Sequence, residues 1–232
     1  MVIARKKVAG AVYGNLFIDG EGTIEDESGT NTLSANGGAA VSAAQYCAYG
    51  SSASSVELAL SKSVTAPYNS SFAFGSNWTI DGFFRVTSQK DNQGFFGINR
   101  ASQNDYLNGG GVVAGWVSNT TLNFRCYAAP YNTHFAALEM EPSNNTWIHF
   151  AYVRSGSNFY LFKDGALADS TTDSTVIADD ASNRNFLLGG FRASYITSYG
   201  FPGFIDNFRF KNDESLWTSA FTLSNANLFY AA

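Results

Sequence analysis

An all-β fold of two antiparallel sheets packed face to face is what this 232-residue sequence predicts, and three observations carry it. Short runs rich in Val, Ile, Phe, Tyr and Trp recur with turn residues between them at near-regular spacing, the pattern of a sandwich and not of a parallel α/β protein. Helical patterning is confined to 213–220, where Asp213 offers an N-cap. The stretch 147–165, W-I-H-F-A-Y-V-R-S-G-S-N-F-Y-L-F-K-D-G, reads as a hairpin whose runs 147–154 and 158–163 flank Ser155-Gly156-Ser157. Alternation sends Ile148, Phe150 and Tyr152 one way and Trp147, His149, Ala151 and Val153 the other, so both faces of that strand are apolar and covered. Asp164-Gly165 tolerates a tight turn and leads through Ala166-Leu167-Ala168 into a further strand, which makes a meander.

Along the chain, residues 1–13 read as an N-terminal arm with Arg5, Lys6 and Lys7, and 14–232 as one domain. A short strand at 15–19 precedes the acidic turn region 20–32. Residues 32–42 form a hairpin-like element around Asn36-Gly37-Gly38, 56–60 a strand, and 67–75 a loop. In 78–86, Trp78, Ile80, Gly82, Phe84 and Val86 share one face, and Thr79, Asp81, Phe83 and Arg85 the other. Asp81 and Arg85 lie too far apart to pair, so their partners sit on neighbouring strands. Strands are expected at 94–99, 112–117, 122–127, 186–189 and 204–211, with Trp78, Phe84, Trp147 and Phe208 meeting between the sheets.

Composition narrows the function. Apolar residues at 45% and aromatics at 16% supply a large core, while charged residues at 14% fall well below the about 25% usual for soluble domains. Ser, Thr, Asn and Gly fill the surface, which suits protein or sugar partners. Net charge is −5, and outside the arm 11 basic residues face 19 acidic ones. Nucleic acid, which needs clustered Lys and Arg, is therefore excluded as a partner. No run of eighteen apolar residues offers a membrane span, and no secretory signal is expected. Cys47 and Cys126 have neither metal-motif nor disulfide-framework spacing; Cys126 reads as a small buried side chain, with a single cross-link left open.

Several segments together resemble the laminin-G-like, concanavalin A-type jelly rolls. They are the hairpin at 147–165, F-L-L-G-G at 186–190 and G-F-I-D-N-F-R-F at 203–210. Upstream, L-F-I-D-G-E-G at 16–22, D-E-S-G at 26–29 and F-A-F-G-S-N-W-T-I-D-G-F-F at 72–84 agree. The variety with this N-terminal run is similar to domains of tailed-bacteriophage virion proteins. The resemblance implies a non-catalytic virion structural protein, a capsid decoration or other accessory component. It would be held by protein–protein contacts to partners such as the major capsid protein and assembled in the host cytoplasm. Arg5, Lys6 and Lys7 would be its docking arm, and a homo-oligomer is compatible. The alternative is a glycan-binding adhesin or carbohydrate-binding module recognising host surface glycans; a weaker one is a glycoside hydrolase relative.

The resemblance also brings in glucanases that carry acidic residues spaced E-x-D-x-x-E along one strand. Here the nearest approach is Glu139 and Glu141 in E-M-E-P, interrupted by Met140 and set by Pro142 in what reads as a loop. With two histidines, His134 and His149, and no nucleophile marked beside either, a hydrolytic triad is rejected and the protein is read as no enzyme. Tyr127, Tyr131, Tyr195, Tyr199 and Trp116, in Asn/Ser/Thr-rich surroundings, are the candidate sugar platforms. Asp206, placed by alternation with Phe204, Phe208 and Phe210, is expected to be a buried anchor accepting backbone N–H groups or pairing with His149 or an Arg. Calcium occurs in some relatives of this fold. The acidic loops 19–26 and 179–180 lack the alternating acidic order of a dedicated loop, so no cofactor or metal is expected.

Overall fold

A computed structural model describes residues 14–20, 22–49, 53–67, 69–90, 92–100, 111–116, 123–129, 136–177, 184–190 and 196–224. Its strands are β1 (Leu16–Ile18), β2 (Ser34–Asn36), β3 (Ala40–Ser42), β4 (Ser55–Leu58), β5 (Ser63–Ala66), β6 (Asn77–Val86), β7 (Gln93–Arg100), β8 (Gly111–Trp116), β9 (Phe124–Ala129), β10 (Ala136–Met140), β11 (Ile148–Ser155), β12 (Asn158–Lys163), β13 (Ala166–Thr172), β14 (Arg184–Leu188) and β15 (Gly203–Lys211). Among the described residues one short α-helix, α1 (Ile196–Tyr199), lies beside β7, and Ser70–Phe72 form a 3-10 turn. Two antiparallel sheets result. Sheet A runs β13-β12-β11-β6-β15-β4-β3, with β1 also pairing with β15; sheet B runs β10-β9-β8-β7-β14-β5-β2.

The core between the sheets is built from the alternating apolar sets. Trp78, Ile80, Phe84 and Val86 of β6 meet Phe96 and Ile98 of β7, Phe124 of β9, Phe150 of β11 and Phe208 of β15 in one buried cluster. Phe84 is ring-packed against Phe95, Trp116, Phe124, Phe150 and Phe201, mostly in tilted or edge-to-face geometry, which the ring quadrupole favours. Three of the four rings expected to converge, Trp78, Phe84 and Phe208, do so. Trp147 does not. It precedes β11 on the opposite parity and packs on the outer face of sheet A against the cluster containing Phe17 and Phe83.

Several expectations are corrected by long-range pairing. Residues 32–42 are no hairpin: β2 pairs with β5 in sheet B and β3 with β4 in sheet A, so the turn between them carries the chain across the sandwich. Gly37, at φ 63°, fits because a Cβ there would lie 1.8 Å from the Ser61 carbonyl oxygen. β5 and β10 form strands where none was expected. β10 includes Met140 and Glu139, since Pro142 lies beyond its end. Residues 213–220 form no helix; they run over sheet A as an irregular segment bonded to Thr79 of β6. Both cysteines are buried and neither forms a disulfide among the described residues, Cys126 lying in the core and Cys47 on the outer side of sheet A.

A bulge in β15 decides which side chains reach the outer face of sheet A. Asp206 pairs with Phe83 but Arg209 pairs with Asp81, so the register on β6 advances by two residues while β15 advances by three. Asn207, at φ 52°, takes up the extra residue. Ile205, Phe208 and Phe210 therefore face the core, while Asp206 and Arg209 face outward. The bulge lies on Gly82 of β6, where a Cβ would come 2.9 Å from the Phe208 Cα and 3.1 Å from the Asn207 carbonyl oxygen. Gly82→Val is expected to lower stability by about 1–3 kcal/mol, as overpacked sites do. Urea denaturation of the variant beside the parent checks this, and an unchanged midpoint would contradict the close fit.

Candidate functional site

The outer face of sheet A divides into a sealed half and a ring-bearing half. In the sealed half, outward alternation on β6 places Asp81 directly opposite Arg209 of β15. Arg209 donates from Nε to Asp81 Oδ1 at 2.8 Å and from Nη2 to Oδ2 at 3.0 Å, a bidentate pair that is almost wholly buried. His149 of β11 sits diagonally across, its Nε2 3.5 Å from Asp81 Oδ2, the longer and weaker contact. Its backbone N–H donates to Asp164 Oδ1 at 2.9 Å.

Residues 213–224 close over these charges. Thr79 Oγ1 donates to the Glu214 carbonyl at 2.9 Å and accepts from the Leu216 N–H at 3.0 Å. The Phe221 N–H donates to the Gly165 carbonyl at 2.9 Å. Trp217 and Phe221 stack at 4.2 Å, both meet the His149 ring edge-on, and the Arg209 guanidinium lies 5.7 Å from the Trp217 ring centroid. Ala151, Val153 and Phe162 pack beneath the same rings. The sequence places partners for Asp81 on neighbouring strands, and they are there. With no path to solvent the cluster is structural.

The other half is organised by Asp206. Turned outward by its alternation with core-facing Ile205 and fully buried, its Oδ2 accepts the Cys47 backbone N–H at 3.1 Å. The expected anchor on backbone N–H is thus present, but His149 belongs to Asp81, and Asp206 does not share a face with Phe208 and Phe210. Cys47 packs with Phe17 and Phe83, and Ser55 Oγ donates to the Gln45 carbonyl at 2.7 Å, so the segment 45–49 is held at Gln45 and at Cys47. On it stand two exposed rings, Tyr46 (56% exposed) and Tyr49 (38%). Tyr49 stacks on Phe83 at 5.6 Å and 11°, which fixes one ring face and leaves the ring outermost. Along the strand from Phe83, Arg85 faces Phe204 of β15, its guanidinium 6.0 Å from that ring's centroid and its Nε donating to the Asn145 carbonyl at 3.1 Å. Trp147, half-buried, completes the row.

The platforms named from sequence lie elsewhere. Trp116 is fully buried with Phe84, Phe124 and Phe201 against its ring, so it offers no face to solvent, contrary to expectation. Tyr127 is buried too, on the outer side of β9, where hydrogen bonding to its side chain is the largest cause raising the Arg125 pKa above its ordinary value, with Glu139 adding to it and burial opposing it. Tyr199 is exposed on α1 beside sheet B. Tyr131, Tyr195, Arg5, Lys6, Lys7, Asp179 and Asp180 lie outside the described residues. Tyr46 and Tyr49 were not singled out from sequence; the signal was two tyrosines in the patternless Ala/Ser/Gly stretch 42–55.

A polar cleft of about 390 Å³ lies where β10 of sheet B meets β12 and β13 of sheet A, lined by Asn123, Glu139, Met140, Glu141, Lys163 and Ala168. It brings the Glu139 and Glu141 pair to one opening. Both Glu139 oxygens are committed, Oε1 to Arg125 at 2.5 Å and Oε2 to Asn123 at 2.8 Å, which suits a fixed acceptor and not a proton donor. No ring lines it. In the acidic turn region, the Asp26 carboxylate collects the N–H groups of Phe17, Ser28 and Asn31 and the side chains of Ser28 and Asn31, all at 2.7–3.0 Å. Among the described residues no three His, Cys, Asp or Glu side chains cluster as metal ligands, and no helix is long and apolar enough to cross a membrane.

Comparison with known proteins places the fold. The Laminin G 3 model, of the concanavalin A-like lectin/glucanases superfamily, matches residues 59–218. The chain belongs to that superfamily. A comparison with curated protein sequences finds no match. Among solved structures, it is similar to domain 4 of AbnA, a GH43 extracellular arabinanase from Geobacillus stearothermophilus, in complex with arabinotriose. That likeness has a TM-score of 0.64 and 14% identity and covers 94% of this chain and 98% of that one. It is similar also to the binding domain of Paraclostridial Mosquitocidal Protein 1 (0.61, 16%, covering 93% and 51%) and to the botulinum neurotoxin serotype D binding domain (0.59, 14%, covering 93% and 50%). The chain spans about half the length of those toxin chains. At such identities the likeness shows the fold.

Breaking the sealed cluster from one side has a large expected cost. Asp81→Ala strands a buried guanidinium and should lower unfolding free energy by about 3–5 kcal/mol. Pairing it with Arg209→Met should restore a good part of that loss. Chemical denaturation of the single and double variants checks both, and equal midpoints for parent and single variant would contradict the arrangement.

Proposed function

We propose that this protein is a non-catalytic glycan-binding module whose sugar contact is the ring-bearing half of sheet A's outer face, around Tyr46 and Tyr49. The observation that carries the reading is the stacking of Tyr49 on Phe83 above a segment tethered by Asp206. The apolar C–H face of a pyranose needs a ring presented face-on and held still, since ordering a loose loop costs about 1–2 kcal/mol per residue. Arg85, Asn145 and the hydroxyl- and amide-rich neighbourhood then supply directional hydrogen bonds. Superfamily membership and the arabinotriose complex of the similar arabinanase domain support a sugar as the ligand class. A glycan array probed with the intact chain should give discrete positives, and Tyr49→Ala should weaken them at least tenfold while leaving the fold intact. An array with no positives for the parent would overturn the reading.

The composition supports a second placement of the same module, as an accessory protein of a tailed-phage particle docked through Arg5, Lys6 and Lys7. Few charges, a polar neutral exterior and an acidic sequence following a basic N-terminal stretch are what favour it. Deleting residues 1–13 is then expected to abolish incorporation into particles while the domain still folds. Full incorporation of the truncated chain, counted in purified particles, would contradict it.

A further inference from the structure

We infer that the glycan taken by this site is acidic, and that Arg85 receives its carboxylate. This rests on the glycan-binding reading above and adds the ligand's charge to it. Arg85 is oriented by two contacts: Nε is committed to the Asn145 carbonyl, and the guanidinium carbon lies 6.0 Å from the Phe204 ring centroid. Its two terminal nitrogens make no hydrogen bond among the described residues, so they are available to a ligand while Nε holds the group in place. A fork of parallel N–H groups matches a carboxylate bidentately, which a Lys ammonium does not.

The surrounding charges point the same way. Glu57 of β4, the acidic residue next along the row beyond Phe204, is already paired with Lys62 at 3.2 Å. Arg85 thus forms no ion pair among the described residues, its nearest carboxylate on the neighbouring strand, Asp206, accepting instead from the Cys47 N–H. Arg209, the other guanidinium turned outward on this face of β15, is consumed by Asp81 beneath Trp217. Spacing fits as well. Phe83 and Arg85 are two residues apart on β6, about 7 Å along the strand, so a saccharide stacked on Tyr49 above Phe83 brings a ring substituent to Arg85.

The test compares each acidic saccharide with its own carboxyl-reduced form, using galacturonate oligosaccharides and sialyllactose as probes in calorimetric titrations of the intact chain. The parent is expected to bind at least one acid form tenfold or more tighter than its reduced partner, with the preference shrinking as salt is raised. Arg85→Gln should bring acid and reduced forms to the same affinity, Arg85→Lys should recover only part of the gap, and Tyr49→Ala should weaken both forms together. Equal binding of acid and reduced forms by the parent, or a preference that survives in Arg85→Gln, would overturn the assignment of charge and leave the glycan site standing. Failure of the parent to bind either form, on these probes and on the array, would overturn the site itself.

Discussion

Everything on the outer face of sheet A derives from two carboxylates that the strand register turns outward and the chain then has to bury. Asp81 and Asp206 sit on adjacent central strands, and an ionised carboxylate removed from water is tolerable only when paired or hydrogen-bonded. The protein satisfies them differently. Asp81 takes a guanidinium from the next strand and is roofed by the chain's own Trp217 and Phe221. Asp206 takes a backbone N–H from a distant loop and so fixes that loop to the sheet. The first arrangement closes half the face, and the second furnishes the other half with rings.

The β15 bulge makes the first arrangement compatible with the second. Without it, strict alternation from Ile205 would send Phe208 outward and Arg209 into the core, and the pair with Asp81 would be lost. Gly82 is the counterpart that lets the bulged backbone approach, so one residue without a Cβ on β6 and one left-handed Asn207 on β15 together set which side chains reach the surface.

The same geometry explains what was readable in the sequence. Local alternation in 78–86 and 148–163 placed the core rings and the meander correctly, because the period-two pleat fixes which side chains share a face whichever strand lies beside them. The two-sheet architecture was legible from the same signal. Asp206 could be recognised as a buried carboxylate but not its partner, since the bulge reverses parity after it and Cys47 is 159 positions away. Trp116 looked like a surface ring because Gly115 and Ala114 beside it carry little patterning, yet β8 lies inside sheet B with its alternate residues turned to the core. The segment 213–220 had helical spacing, but its rings are spent on covering Arg209 and His149, a tertiary demand that propensity does not register. Tyr46 and Tyr49 were passed over for the same reason: their loop has no period to read, and its rigidity comes from strands remote in sequence.

The surface proposed for recognition is held by buried charge and is separate from the polar cleft at the sandwich edge, whose Glu139 carboxylate is committed to Arg125 and Asn123. The central claim is that the Tyr46–Tyr49 loop and the C-terminal segment are fixed parts of sheet A's outer face. Amide hydrogen exchange of the intact chain, resolved at single residues, measures this directly. Slow exchange at Cys47, Leu216 and Phe221, comparable with the central strands, is the predicted result; exchange at those amides as fast as in exposed loops would contradict it.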